Sequence, residues 1–187
     1  MVLDDTPGVV AGVHHLVALG HERIAFVGGP DAFLHARRRQ AAWRATLDRM
    51  TLPTNLVLDG DFTGTGGAEA TRRLLALAPG ERPTAIVYAN DLMAVAGVAG
   101  AVRSGRRVPE DVSVVGFDDC SVAAHMHPAL TTVAQDAMAW GRAAAGALFD
   151  LVEHTSTDDV ELPPARLVVR QSTAAPAGAI HTPEGDS

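Results

Sequence analysis

An α/β fold, with an open, parallel, doubly wound sheet and flanking helices, is what this chain predicts, and three observations carry that expectation. Short apolar, β-like runs such as Ile24-Ala25-Phe26-Val27 and Ala85-Ile86-Val87-Tyr88 alternate with longer segments whose apolar residues recur at helical spacing. Two of the runs end abruptly in hydrogen-bonding groups, Tyr88-Ala89-Asn90-Asp91 and Phe117-Asp118-Asp119, one strand-helix unit apart. Parallel strands joined by a crossover helix point the same way. Asn90, Asp91, Asp118 and Asp119 are therefore expected together at the carboxyl edge, where such sheets bind small molecules.

The elements follow in order. Residues 8–19 read as a helix with Val9, Val13, Leu16 and Val17 on one face and Gly20 as its stop. Residues 23–27 form a buried strand closed by Gly28-Gly29-Pro30. A helix over 36–50, a short strand over 56–58 and a helix over 66–78 come next. The turn residues Pro79 to Pro83 precede the strand 84–88. Residues 92–104 are helical up to Gly105, and Pro109 leads into the strand 112–117. An irregular loop is expected over 121–128, a β-like stretch over 130–133, and a strong helix over 136–153 with Met138, Ala145, Leu148 and Val152 among its apolar positions. Residues 155–159 read as a polar loop, 162–169 as extended around Pro163-Pro164, and 174–187 as a frayed tail.

Composition narrows the function. The 187 residues suit one sizeable domain or one lobe of a two-lobed protein, and 47% hydrophobic with 20% charged residues is a soluble globular balance. A net charge of -7 argues against a nucleic-acid surface on this chain, because phosphate binding needs clustered cations. All fifteen basic residues are arginine, which excludes a Schiff-base or phosphate-loop lysine. The single Cys120 cannot form an internal disulfide, and neither a secretion leader nor a membrane-length apolar run is visible, so the expected compartment is the cytoplasm.

Other motifs carry less. Gly64-Thr65-Gly66-Gly67 before a helix imitates a phosphate loop but lacks lysine and is better read as a helix entry. His14-His15 and His125-Met126-His127 have no Cys or carboxylate cluster to complete a metal site. No nucleophile elbow exists, and Cys120 reads as structural. No cofactor, metal or enzymatic activity is expected.

With the elements placed, the chain resembles the effector-sensing region of the LacI/GalR family of bacterial transcriptional repressors. The resemblance rests on His15-Leu16-Val17-Ala18-Leu19-Gly20-His21, Val27-Gly28-Gly29-Pro30, Ala36-Arg37-Arg38-Arg39, Ala89-Asn90-Asp91-Leu92-Met93-Ala94, the run from Val108 to Asp119, Pro128-Ala129-Leu130-Thr131-Thr132 and the run from Leu162 to Thr173. In this order and spacing, over roughly residues 2–176, they are specific. The resemblance implies a sensor of two periplasmic-binding-protein-like lobes, of which this chain holds the C-terminal one. Residues 1–134 and the return strand 161–176 would form that lobe, 135–160 a crossing helix that belongs to the other lobe, and 177–187 a flexible tail. The helix-turn-helix has no counterpart in these residues, so DNA is a partner only through a headpiece outside them.

The resemblance also assigns roles. Arg39, Asn90 and Asp118 fall at effector-contacting positions: a planar donor fork, an amide that donates and accepts, and a carboxylate that can take two hydroxyls. Phe62 falls where relatives place an aromatic, and Gln135 at the lobe crossing. Ala137 stands where some sugar-binding relatives carry an aromatic, which leaves the effector open. A competing reading of Asn90-Asp91 is a helix N-cap, supplied by Asp91. Asp119 reads as a loop cap. The expected effector is a sugar or sugar derivative and the expected assembly a homodimer, through Met93, Ala96, Gly97 and Gly100 of one helix and Met126 of the following loop. A crossing helix without its lobe would expose an apolar face, so it is expected either to pack on another chain or to fold back on its own lobe. The alternatives are a periplasmic-type sugar-binding protein and a degenerate regulator fragment.

Overall fold

The computed structural model describes residues 4–154 and 164–177. Strands β1 (Ile24–Val27), β2 (Val57–Leu58), β3 (Ala85–Tyr88), β4 (Ser113–Asp118), β5 (Thr131–Ala134) and β6 (Arg166–Val168) make one sheet in the order β2-β1-β3-β4-β5-β6. All neighbours from β2 to β5 pair in parallel, and β6 runs antiparallel to β5. The expected parallel sheet thus gains an antiparallel edge. Its cause is the point of re-entry: the chain leaves β5 at the carboxyl edge and returns with Arg166 opposite Ala134 at that same edge, so it can only run back.

Helices α1 (Thr6–Ala18), α2 (Leu34–Arg49), α3 (Gly64–Leu75), α4 (Asp91–Arg103) and α6 (Ala137–His154) match the predicted helices, with ends displaced by less than a turn. The chain steps outward from β1 to β2 through α2, then back past β1 to β3 through α3. Right-handed crossovers therefore place α2 on one face and α3 and α4 on the other. α1 packs on α2, and α3 on α4. Between α1 and the sheet, a Cβ at Gly8 would collide with the Val133 side chain, so glycine sets how closely that helix lies on β5. Val13, Leu16, Trp43 and Leu47 fill one side of the sheet's core and Leu74, Met93 and Val98 the other, around the fully buried β1 and β3.

Four expectations change. Residues 121–128 are not wholly irregular, because Ser121–His125 makes a short helix, α5, anchored by buried Ala123, whose carbonyl accepts from Leu130 N at 2.8 Å. The start of the expected tail is fastened. Ala174 N donates to Ser113 Oγ at 3.0 Å, and Ala174 O accepts from buried His21 Nε2 at 2.8 Å. Residues 155–163 and 178–187, on which the expected polar loop, the start of the extended 162–169 stretch and the rest of the expected tail fall, lie outside the described residues.

The proposed subunit face on α4 is largely spent inside the chain. Met93 is fully buried. A side chain at Gly97 would strike the Tyr88 hydroxyl, and one at Gly100 would stand 3.3 Å from the Ala68 carbonyl on α3. Only Ala96 of that set is half-exposed. The missing side chains serve the α3-α4 contact, where Tyr88 and Thr71 hydroxyls lie 2.6 Å apart.

Finally, α6 does not fold back to cover its apolar residues: Met138 is 71% exposed and Val152 77%, with Leu148 and Phe149 also exposed. Its start is nonetheless well made, since Asp136 Oδ1 accepts from Ala139 N at 2.7 Å in the manner of an N-cap.

Candidate functional site

In a sheet of this order, the strand sequence reverses between β1 and β3, and the crevice outside the carboxyl ends at that reversal is the favoured ligand position. Gly28-Gly29-Pro30 closes β1 there, and Ala89-Asn90 closes β3. Arg39 reaches this point from the second turn of α2, which begins directly after the β1 loop.

Arg39 is 6% exposed, so each of its donors needs a partner. Its Nε donates to Asp5 Oδ2 at 2.7 Å and its Nη1 to the Ala89 carbonyl at 2.5 Å. The guanidinium carbon stands 3.5 Å above the Phe117 ring, a cation-π contact that fixes its plane. Asp118 Oδ1 lies 3.8 Å from Nη1, at the open side of the cluster. Gln135 Nε2 donates to Asp5 Oδ1, closing a network that joins α1, α2, β3, β4 and β5. Arg39, Asp118 and Gln135 are thus brought together.

Asp118 is 47% exposed and sits at φ 121°, followed by Asp119 at φ 54°. Sparsely populated backbone conformations cost roughly 1–3 kcal/mol each and gather at ligand sites. Loss of water raises the Asp118 carboxyl to about 6, Arg39 pulls it down, and the neighbouring Asp91 and Asp5 push it up. Two carboxylates, Asp5 and Asp118, share one buried arginine here. Asp119 is held apart by Arg170 Nη2 at 2.6 Å, in keeping with a loop-fixing role.

Asn90 does cap α4, its Oδ1 accepting from Met93 N at 3.0 Å, while its Nδ2 donates to the Phe62 carbonyl at 3.2 Å. This corrects the cap assignment to Asp91. That residue is buried instead, accepting from Cys120 N at 2.8 Å and Thr132 Oγ1 at 2.5 Å, with its carboxyl raised by burial. A Cβ at Gly116 would collide with it, so the glycine of β4 makes its space. Phe62, half-buried at φ 63°, lays its ring over Gly29. It joins the cluster only through its carbonyl bond to Asn90.

Asp5 is the residue that sequence reasoning missed. It stands before Thr6-Pro7, where an acid reads as the N-cap of α1, yet it makes no side-chain cap bond. Its partners lie 34 and 130 positions away, and nothing local could have signalled them. A depression of about 500 Å³ opens between Asp118, Asp119, Gln135, Asp136, Met138 and Arg166, within the size range of small-molecule sites.

The family described as periplasmic binding protein-like domain matches residues 13–173. The chain belongs to the periplasmic binding protein-like domain family. Among relatives of this periplasmic binding protein-like chain, the lactose operon repressor of Escherichia coli (strain K12) is 36% identical over 176 residues, covering 94% of this chain and 48% of that protein. The dimeric lac repressor with an 11-residue C-terminal deletion superposes with a TM-score of 0.86 at 36% identity, over 93% of this chain and 63% of that one. A transcriptional regulator CelR–cellobiose complex gives 0.84 at 38% identity, over 91% and 52%. The chain spans about half the length of the curated relatives it matches. Those relatives are transcriptional regulators, and among the described residues no helix is long and apolar enough to cross a membrane.

Proposed function

We propose that this periplasmic binding protein-like chain is the effector-sensing portion of a sugar-responsive transcriptional repressor, working in the cytoplasm and catalysing no reaction. One observation carries the reading: Arg39, Asp118 and Gln135 meet at the carboxyl edge beside the strand-order reversal that Asn90 closes, with Asp118 strained, half-exposed and poised beside a guanidinium fork. Asp118 accepts two adjacent sugar hydroxyls, Arg39 and Asn90 supply donors, and Gln135 reports from the start of α6. The cellobiose complex of a solved relative supports a sugar as the class.

Residues 1–134 and 161–176 act as one wall of the cleft, 177–187 as a tail, and 135–160 as the crossing segment whose apolar α6 face meets a second lobe. The exposed Met138, Leu148, Phe149 and Val152 support that division. Effector held between two walls favours one lobe orientation, and only that difference in affinity shifts the DNA-binding equilibrium of a complete regulator. DNA itself is read elsewhere, consistent with a net charge of -7.

The same reading pairs two copies through α4. Because Met93, Gly97 and Gly100 face inward, the pairing surface is the outward stripe of Leu92, Ala96, Ala99 and Val102, continued by Val122 and by half-buried Met126. A groove of about 580 Å³ between α3 and α4 includes Ala96 and Ala99. Sedimentation of this chain and of Leu92→Glu tests it: unchanged mass on substitution rules the stripe out.

The effector reading is tested by adding a panel of mono- and disaccharides to isotope-labelled chain. Weak, fast-exchanging shifts centred on Arg39, Asn90 and Asp118 are expected, since half of the cleft is supplied. Silence at these residues with every sugar refutes the effector site, and micromolar affinity by calorimetry refutes the division into two walls.

A further inference from the structure

The opposite end of the sheet carries chemistry that the effector edge does not use. At the amino edge, Arg23 stands just before β1, Arg82 in the turn before β3 and Arg106 in the connection from α4 to β4, and these three half-buried side chains line one cavity of about 200 Å³. That is below the roughly 300–1,000 Å³ of clefts that hold drug-sized ligands, and it suits a single small group. The chain as a whole carries a net charge of -7, so a cavity walled by three guanidinium groups is a local reversal of sign.

Structural duties occupy only part of these side chains. Arg23 Nε donates to the Arg82 carbonyl at 2.9 Å, and Arg82 Nη2 donates to the Leu77 carbonyl at 2.9 Å, just past the end of α3. Those bonds fix where the two guanidinium groups stand. They leave Arg82 Nε buried with no acceptor, and among the described residues no carboxylate lies within ion-pair distance of Arg23, Arg82 or Arg106. A buried donor without a partner is uncommon, and beside two further guanidinium groups it calls for an anionic acceptor.

Among the described residues the acid that lines the cavity is Asp111, and it is already engaged. Its Oδ2 accepts from Arg107 N at 2.8 Å and its Oδ1 from Arg107 Nη2 at 3.1 Å. These hydrogen bonds first, and then the charges of Arg107 and Arg106, hold the Asp111 carboxyl below its ordinary range, as a field of positive sign requires. Glu22, Glu81 and Glu110, which neighbour the arginines in sequence, are exposed and stand outside the cavity wall.

We propose that this cavity binds a phosphoryl dianion, either free phosphate or the phosphate end of a small ester, held by Arg23, Arg82 and Arg106. A tetrahedral phosphoryl group presents acceptor oxygens in several directions, which guanidinium groups arriving from three separate segments can meet, whereas a carboxylate presents two oxygens in one plane. The site stands apart from the effector reading, because it lies at the other edge of the sheet.

The isotope-labelled, full 187-residue chain is titrated at constant ionic strength with inorganic phosphate, methyl phosphate and acetate. Arginine Nε–H resonances are followed, with Arg72, paired to Glu69 on the surface of α3, as the reference. Phosphate is expected to give saturable shifts at Arg23, Arg82 and Arg106 while Arg72 stays still, with affinity about tenfold above that of acetate. Methyl phosphate binding as tightly as phosphate identifies an ester as the source, and binding of phosphate alone identifies the free ion; either upholds the site. Arg106→Gln, a position held in the fold by its backbone N–H to the Ala101 carbonyl, should weaken phosphate about tenfold and leave the thermal melt in phosphate-free buffer unchanged. Shifts that include Arg72 equally, acetate binding as tightly as phosphate, or full phosphate affinity in Arg106→Gln would each overturn the proposal.

Discussion

Replacing Arg39 by methionine tests whether the carboxyl edge hangs on one guanidinium. The substitution keeps an unbranched side chain of similar length over Phe117 but removes the donors to Asp5 Oδ2 at 2.7 Å and to the Ala89 carbonyl at 2.5 Å. Stranding one partner of a buried ion pair costs about 3–5 kcal/mol. The unpaired carbonyl adds about 1–3 kcal/mol, and a thioether-aromatic contact with Phe117 returns about 0.3–1.5 kcal/mol of the lost cation-π energy. Because these terms overlap, the expected loss is about 3–5 kcal/mol, a large share of the ~5–15 kcal/mol that holds a domain folded. Asp5→Asn, which keeps an acceptor for Arg39 Nε, is expected to cost about 1–2 kcal/mol. The double variant should lose about 2 kcal/mol less than the sum of the singles, because removing both partners strands neither. Urea unfolding followed by far-ultraviolet circular dichroism measures all four proteins. An Arg39→Met loss below about 1 kcal/mol, or strictly additive losses, would falsify the hub.

Three further outcomes are expected. The Asp118 carboxyl carbon should titrate with a midpoint at about 6, and sugar-induced shifts should weaken roughly tenfold between about pH 7 and pH 5 as the acceptor is protonated; a midpoint near the ordinary carboxylate value of 3.8 contradicts the desolvated setting. The sign for stability is opposite to the usual acid: a raised carboxyl favours the fold fully below 3.8, and that contribution fades as pH rises through about 6. Gly97→Ala would drive a methyl group into the Tyr88 hydroxyl and within 3.0 Å of Thr71 Oγ1, so an overpacking loss of about 1–3 kcal/mol is expected in thermal melts, and an unchanged melt refutes the tight α3-α4 contact. His21, whose imidazole burial holds below 6.5, contributes stability above that value and loses it as pH falls; amide exchange at Ala174 and Val114 should quicken on acidification beyond the intrinsic change, and parallel behaviour of all amides would count against a histidine-held segment.

How far the residues spoke in advance depended on the range of the interactions. β1 and β3 were legible because Ile24 to Val27 and Ala85 to Tyr88 are apolar throughout, as doubly covered strands are. The place of Asp118 at the carboxyl edge was legible because the apolar run of β4 ends in acid. Asp5 was not, since its partners are set by tertiary folding and its neighbours imitate a helix cap. The α4 face misled for a related reason: small residues at helical spacing permit close packing but do not name the partner, and α3 of the same chain takes that place. The direction of β6 depends on where the chain re-enters the sheet, which no local pattern encodes.

The contacts that define the proposed effector edge join residues 34, 50 and 130 positions apart. Loop closures of such length come after local helices have formed, so this edge assembles only when the sheet is nearly complete from β1 to β5. A chain caught after partial unfolding would carry every residue of the proposed effector site and yet have no site. Ligand response is therefore also a measure of how much of the protein has finished folding.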